Sequence, residues 1–129
     1  MSQPEKWLRA SLAVASSAGV YPVVAIAKAP LPLIVYRRTS TSRDRSLTGG
    51  YGMPVAVFSV AIVAETYQQA KEIAESVRLS LDNFTGTDQG VIIVKSALAS
   101  EADSMEAPLE GRDKPLYRVD QSYEVRFKE

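Results

Sequence analysis

The clearest alternation of apolar and polar residues lies near the end of the chain, over residues 116–127. One parity carries Tyr117, Val119, Tyr123, Val125 and Phe127, and the other carries Arg118, Asp120, Ser122, Glu124 and Arg126. A period of two predicts a strand with one face in the core and the other face in water or against a partner.

Three more strands are predicted, with different patterns. Residues 55–64 are apolar at both parities, which is typical of a strand that is covered on both faces. Residues 33–39 follow a stretch in which Pro22, Pro30 and Pro32 favour extended backbone, so a strand begins after the last proline. Residues 91–98 are predicted to form the remaining strand.

Two amphipathic helices are predicted from the spacing of apolar residues. The first covers residues 4–17, with Pro4 in its first turn and Gly19 as a stop signal. The second begins at Thr66, which forms a capping box with Gln69. Its apolar stripe consists of Ala70, Ile73, Ala74, Val77 and Leu81.

The order of these elements predicts an α+β fold, because strands and helices do not alternate regularly. We expect about four strands in a mainly antiparallel sheet, with two helices packed on one face. Residues 85–90 are interpreted as a turn, and the acidic residues 101–115 as a loop. A chain of 129 residues fits a single domain.

Composition narrows the possible functions. Cysteine and histidine are both absent, which excludes a disulfide framework, a thiolate nucleophile, a zinc finger and a Ser-His-Asp triad. Fifteen basic and fifteen acidic residues cancel, so no long-range field attracts nucleic acid. The chain lacks a convincing signal peptide, and its longest apolar run is too short to span a bilayer. These features predict a soluble intracellular protein.

The segment STSRDRSLTGGYG, residues 40–52, is the main candidate site. It does not fit a phosphate-binding loop, because the glycines lead directly into a predicted strand, with no lysine and no helix immediately after them. Nucleic-acid binding stays open as an alternative, with Arg37, Arg38, Arg43 and Arg45 as cations and Tyr51 as a stacking group. A solvated hairpin is favoured over it, since the net charge is zero.

The acidic segment offers no catalytic or metal site of a known pattern. Its residues Glu101, Asp103, Glu106 and Glu110 do not follow the spacing of an EF-hand loop. A solvated acidic loop is therefore the simplest interpretation, and an enzyme is not expected.

Three segments together resemble the tail-completion family of long-tailed phages, the tail-to-head joining proteins similar to tail terminators. They are VYPVVAIAKAPLPLIVYRR, AETYQQAKEIAESVRLSLDNF and YRVDQSYEVRF, in that order. The resemblance implies a ring, usually of six copies, on the head-proximal end of the tail tube of a virion. Such a ring ends tube polymerisation and joins the tail to the head connector, with DNA only as passing cargo. It implies no cofactor, no membrane and no catalysis.

A ring requires two different surface patches that meet between neighbouring copies. The basic segment with Tyr51 and the acidic segment are candidates for these patches. We expect them either to contact each other across subunits or to face the tail tube and the connector.

Overall fold

The computed structural model describes residues 4–15, 19–22, 31–43, 54–106 and 115–128. Within these ranges the chain forms two helices and six strands. In chain order they are α1 (Pro4–Ala15), β1 (Gly19–Pro22), β2 (Leu33–Ser42), β3 (Val55–Ala64), α2 (Tyr67–Leu81), β4 (Phe84–Asp88), β5 (Val91–Glu106) and β6 (Leu116–Lys128).

The strands form one mixed sheet in the order β1-β2-β3-β6-β5-β4. β1 runs parallel to β2, and every other neighbouring pair is antiparallel. The α+β class is confirmed, and the four predicted strands form the middle of the sheet. The predicted strand number is wrong, because a short strand lies at each edge.

The two missed strands have weak sequence signals. β1 has only four residues and ends on a proline, so its length alone does not distinguish it from extended coil. β4 has the sequence FTGTD, in which glycine, threonine and aspartate are typical of turns. Pairing with residues 91–96 of β5 outweighs that local preference.

Both helices bury their apolar stripes on the same face of the sheet. Trp7, Leu8 and Leu12 of α1 are completely buried there. α2 adds Ala70, Ala74, Val77 and Leu81, while the predicted Ile73 is only partly buried. Burial of a large apolar side chain contributes roughly 1.5–3 kcal/mol before its entropy cost.

The opposite face of the sheet is less completely covered. The β3 residues that point to the helices are fully buried, but Val55 and Val57 on the other parity are only partly buried. A second, smaller apolar cluster lies on this face and consists of Leu33, Val63 and Leu116, with Tyr21, Leu31 and Val35 packed beside it.

Helix α2 begins where the capping motif predicts. The Thr66 hydroxyl accepts a hydrogen bond from the Gln69 N–H at 3.1 Å, which satisfies one of the unpaired donors of the first turn. At the other end Asn83 adopts a positive φ of 62°, a conformation that asparagine tolerates and that stops the helix.

β5 is much longer than predicted, because it has 16 residues and continues to Glu106. The predicted loop over 101–115 is therefore wrong for residues 101–106. The ladder with β6 pairs Glu101 with Gln121 and Glu106 with Leu116. Antiparallel pairing supplies backbone partners to this polar segment, whatever its side chains are.

Candidate assembly surface

The predicted basic segment is divided between the two faces of β2. Arg37 is exposed on the face away from the helices, beside Ser59. Arg38 lies on the helix face, beside Phe58. Arg43 is exposed just after the strand. Arg45 and Tyr51 lie outside the described residues, in the connection between the antiparallel strands β2 and β3.

Arg38 is a structural residue that ties α1 to the sheet. Its guanidinium forms an ion pair with Glu5 of α1 and donates a second hydrogen bond to the Thr41 hydroxyl at 3.2 Å. The same group lies 5.5 Å from the ring centre of Phe58 and 5.7 Å from that of Phe127. Cations attract aromatic faces at this range, so this charge is used inside the chain.

The predicted acidic residues follow β5 and its continuation. Glu101 and Asp103 lie on the helix face of β5, beside Gln121 and Val119. Glu106 is the last residue of the strand, and Glu110 lies outside the described residues. Because β3 and β6 separate β2 from β5, roughly 14 Å of sheet lies between the two segments within one chain.

Two side chains of α2 hold the acidic residues in place. The Lys71 ammonium lies 3.2 Å from Asp103 Oδ1 and 3.4 Å from Glu101 Oε1. The Tyr67 hydroxyl donates a hydrogen bond of 2.7 Å to Asp103 Oδ2. The acidic patch is therefore partly neutralised by its own chain.

Gln121 extends this network into the core. Its amide nitrogen donates to Glu101 Oε2 at 2.7 Å and to the Ala74 carbonyl at 3.0 Å. Its amide oxygen accepts a hydrogen bond of 2.8 Å from the Tyr123 hydroxyl. Since Gln121 is 1 % exposed, these bonds prevent the cost of an unsatisfied buried amide.

These contacts, together with burial, shift the pKa values of four side chains, namely Asp103, Lys71, Tyr67 and Tyr123. Hydrogen bonds from Tyr67 and then from Lys71 hold the pKa of Asp103 below its ordinary value of 3.8. The hydrogen bond to Asp103 raises the pKa of Lys71 and also that of Tyr67. Burial raises the pKa of Tyr123. All four groups keep their usual charge near neutral pH.

Sequence reasoning missed Tyr67, Lys71 and Gln121 as partners of the acidic residues. A signal for Gln121 was present, because it has the same parity as Val119 and Tyr123 and so had to point into the core. No such signal existed for Lys71, since its partners are about 30 residues away along the chain.

Within the described residues, the chain has neither a metal-binding group of side chains nor a helix that could span a membrane. In the ranges given above, no three histidine, cysteine, aspartate or glutamate residues are grouped so that they could hold a metal ion. No helix in that part of the chain has the length and apolar character needed to cross a bilayer.

Comparison with known proteins identifies the fold and no family. No protein-family model matches the chain, and no curated protein matches it. Among solved structures, the chain is similar to one from the virion of a native gene transfer agent particle, with a TM-score of 0.67 and 17% identity. The likeness covers 95% of this chain and 92% of the other, so both have the same α+β architecture over nearly their whole lengths.

Proposed function

We propose that this chain is a structural protein of a phage-like particle and is located in the virion. The observation that supports this proposal is the likeness to a gene transfer agent virion chain, because it spans nearly all of both chains. An assembly role agrees with the composition, since the chain has no cysteine or histidine for catalysis. The proposal includes no cofactor and no enzymatic activity.

Within the particle, the proposed role is that of a tail terminator, made in the host cytoplasm. Six copies form a ring on the head-proximal end of the tail tube, end its polymerisation and bind the head connector, while DNA passes through. The segments that resemble the tail-completion family support this finer role. Their described residues include most of β1, the first six residues of β2, all of α2 and most of β6.

The proposed contact surfaces include Arg37 and Arg43, which are exposed on and after β2, together with Arg45 and Tyr51. On the other side they include Glu101, Asp103, Glu106 and Glu110. Complementary charge sets the register and rate of association more than its affinity. If Arg43→Glu with Arg45→Glu leaves assembly unchanged, these arginines have no such role.

Imaging of particles tests the terminator role directly. Cells that produce the particle without this chain should release heads without tails and tails of irregular length. Supplying the full chain should restore tails of one length that are joined to heads. Tails of normal length, joined to heads without the chain, would contradict the proposal.

The alternative of a nucleic-acid-binding module makes a different prediction. Binding through the arginine-rich segment would weaken steeply with salt, because each phosphate contact releases counterions. Arg38 is already engaged with Glu5 and two aromatic rings, so one of the four arginines is not available to phosphate. Tight oligonucleotide binding at physiological salt, without any tail defect, would favour this alternative.

A further inference from the structure

The outer edge of β5 is covered over less than half of its length. β6 pairs with β5 from Ile92 to Glu106, whereas the pairing of β4 with β5 ends at Ser96. Among the strands of the described chain, none pairs with the outer side of residues 98–106. Side chains 99–105 are all exposed. An edge of this kind presents unpaired backbone N–H and C=O groups to another strand.

Strand β1 lies at the opposite edge of the same sheet, at the same height along the strands as the uncovered part of β5. β1 pairs with Leu33–Tyr36 of β2 and forms the other end of the sheet. The registers of the intervening strands place Gly19 level with Ser104, through Leu33, Val63 and Arg118. They place Pro22 level with Glu101, through Tyr36, Val60 and Gln121. The four residues of β1 thus stand level with residues 101–104.

The strand directions match as well. β1 is parallel to β2, and three antiparallel steps lead from β2 through β3 and β6 to β5. β1 and β5 therefore run in opposite directions. A second copy that continues the sheet beside β5 would bring its β1 into antiparallel register, which is slightly more stable per residue than parallel pairing.

The side chains at this junction are also compatible. On the face away from the helices, Tyr21 of β1 stands level with Ala102, and Ser100 and Ser104 lie on either side of Ala102 along β5. These small residues leave room for the tyrosine ring, and an aromatic residue contributes to cross-strand packing. The carboxylates of Glu101 and Asp103, which would otherwise protect the edge, are bound by Lys71 on the helix face.

We infer that the outer edge of β5, from Glu101 to Ser104, binds β1 (Gly19–Pro22) of a second copy of this chain. One sheet then continues from subunit to subunit. The contact is heterologous, since each copy offers β1 on one side and β5 on the other. Its repetition gives a ring when the rotation from copy to copy closes on itself, and an open filament otherwise. This inference rests on the proposed function and identifies the contact through which the ring forms.

Disulfide crosslinking can test this contact, because the sequence has no cysteine and only introduced thiols can react. The double variant Tyr21→Cys with Ala102→Cys places one thiol on each edge of the sheet. Within one chain these positions are four strand spacings apart, roughly 19 Å, which is too far for a disulfide. Oxidation of the purified full chain should give a ladder of covalent multimers on a denaturing gel, ending at the copy number of the ring.

A second pair keeps the test decisive if Tyr21→Cys weakens the fold. Val20→Cys with Asp103→Cys lies one register position away on the helix face. Adjacent register positions alternate between two geometries in an antiparallel ladder, so the two pairs sample both. The control, Tyr21→Cys with Leu79→Cys, uses an exposed position of α2 and should give no ladder.

A noncovalent test uses the size of residue 102. Ala102→Arg places a long side chain where the tyrosine ring of the neighbour would lie. It should weaken self-association by about tenfold or more, as measured by light scattering over a dilution series. Leu79→Arg adds the same charge at the exposed α2 position and should leave association unchanged.

The outcomes separate the contact from the proposed function. A ladder from either edge pair, absent from the control, supports the inference. Rings in electron micrographs without a ladder from either pair would overturn it and leave the terminator proposal standing. A ladder from open filaments would support the strand contact and contradict the ring. A chain that stays monomeric at every concentration and gives no ladder would also overturn the inference, and tail imaging would then decide the proposed function.

Discussion

Arg38 and Asp103 are charged residues on the same face of one sheet, yet the chain surrounds them very differently. Arg38 is placed among Glu5, Thr41 and two aromatic rings, and its side chain is 25% exposed. Asp103 stays at the rim of α2, bound by Tyr67 and Lys71, and its side chain is 38% exposed. The comparison shows that a run of charge in a sequence does not by itself define a free charged surface.

The largest expected effect on stability comes from Gln121, which links Glu101 to the buried core. Gln121→Leu removes the partner of the Tyr123 hydroxyl and of the Ala74 carbonyl. The buried Tyr123 hydroxyl is left unsatisfied, whereas the Ala74 carbonyl keeps its partner within the helix. Together with the loss of the hydrogen bonds of Gln121, this should lower the free energy of unfolding by about 2–4 kcal/mol. Urea denaturation of the variant measures this change.

The matched control for that variant is Ser122→Ala, on the other face of β6 and only partly buried. Its free energy of unfolding should stay within about 0.5 kcal/mol of the unmodified chain. Equal stability of Gln121→Leu and Ser122→Ala would show that the network does not stabilise the fold.

In the basic segment, Arg38→Met should cause the next largest loss of stability. It breaks the ion pair with Glu5 and removes the cation from Phe58 and Phe127. We expect a loss of about 1–3 kcal/mol in the free energy of unfolding, again from urea denaturation. Arg37→Met is the control, because Arg37 is exposed on the other face. Similar losses from both variants would contradict the structural role of Arg38.

The smallest expected effect is a change in titration. Since the Tyr67 hydroxyl is the main cause of the lowered pKa of Asp103, Tyr67→Phe should raise that pKa towards 3.8. Lys71→Met should raise it as well, because it removes both a hydrogen bond and a nearby positive charge. NMR titration of the Asp103 carboxyl carbon measures both shifts. No rise from Tyr67→Phe would show that Lys71, and not the hydroxyl, controls this carboxylate.

The direction of the pH effect on stability follows from that pKa. A carboxyl whose pKa is lower in the folded state stabilises the fold above its unfolded value, here 3.8. The stabilisation is lost as the pH falls through the folded pKa. The Asp103→Asn variant should therefore lose less stability in this acidic range than the unmodified chain does.

Strong local patterns predicted much of the middle of the sheet. The predicted strand over residues 55–64 matches β3, and the capping motif at Thr66 locates the start of α2. The sequence also carried a signal for the partial burial of Arg38, because Arg38 has the same parity as Ile34 and Tyr36, both of which are buried.

The edges of the sheet could not be predicted in the same way. β4 and the second half of β5 have polar, turn-like sequences, and their structure depends on pairing with distant strands. Neither segment has a periodicity that distinguishes it from a loop. The candidate assembly surface depends on these edges, so its position emerged only from the sheet registers.

Asp82 gives the uncovered edge of β5 a defined end. Asp82 is the C-cap residue, at which α2 ends. Its carboxylate accepts a hydrogen bond of 2.9 Å from the backbone N–H of Leu98, two residues beyond Ser96, the last residue of β5 that β4 covers. An incoming strand cannot slide past this point without displacing the carboxylate. If copies pair along this edge as inferred above, the carboxylate limits the registers in which they can pair, and with them the range of angles between neighbouring copies.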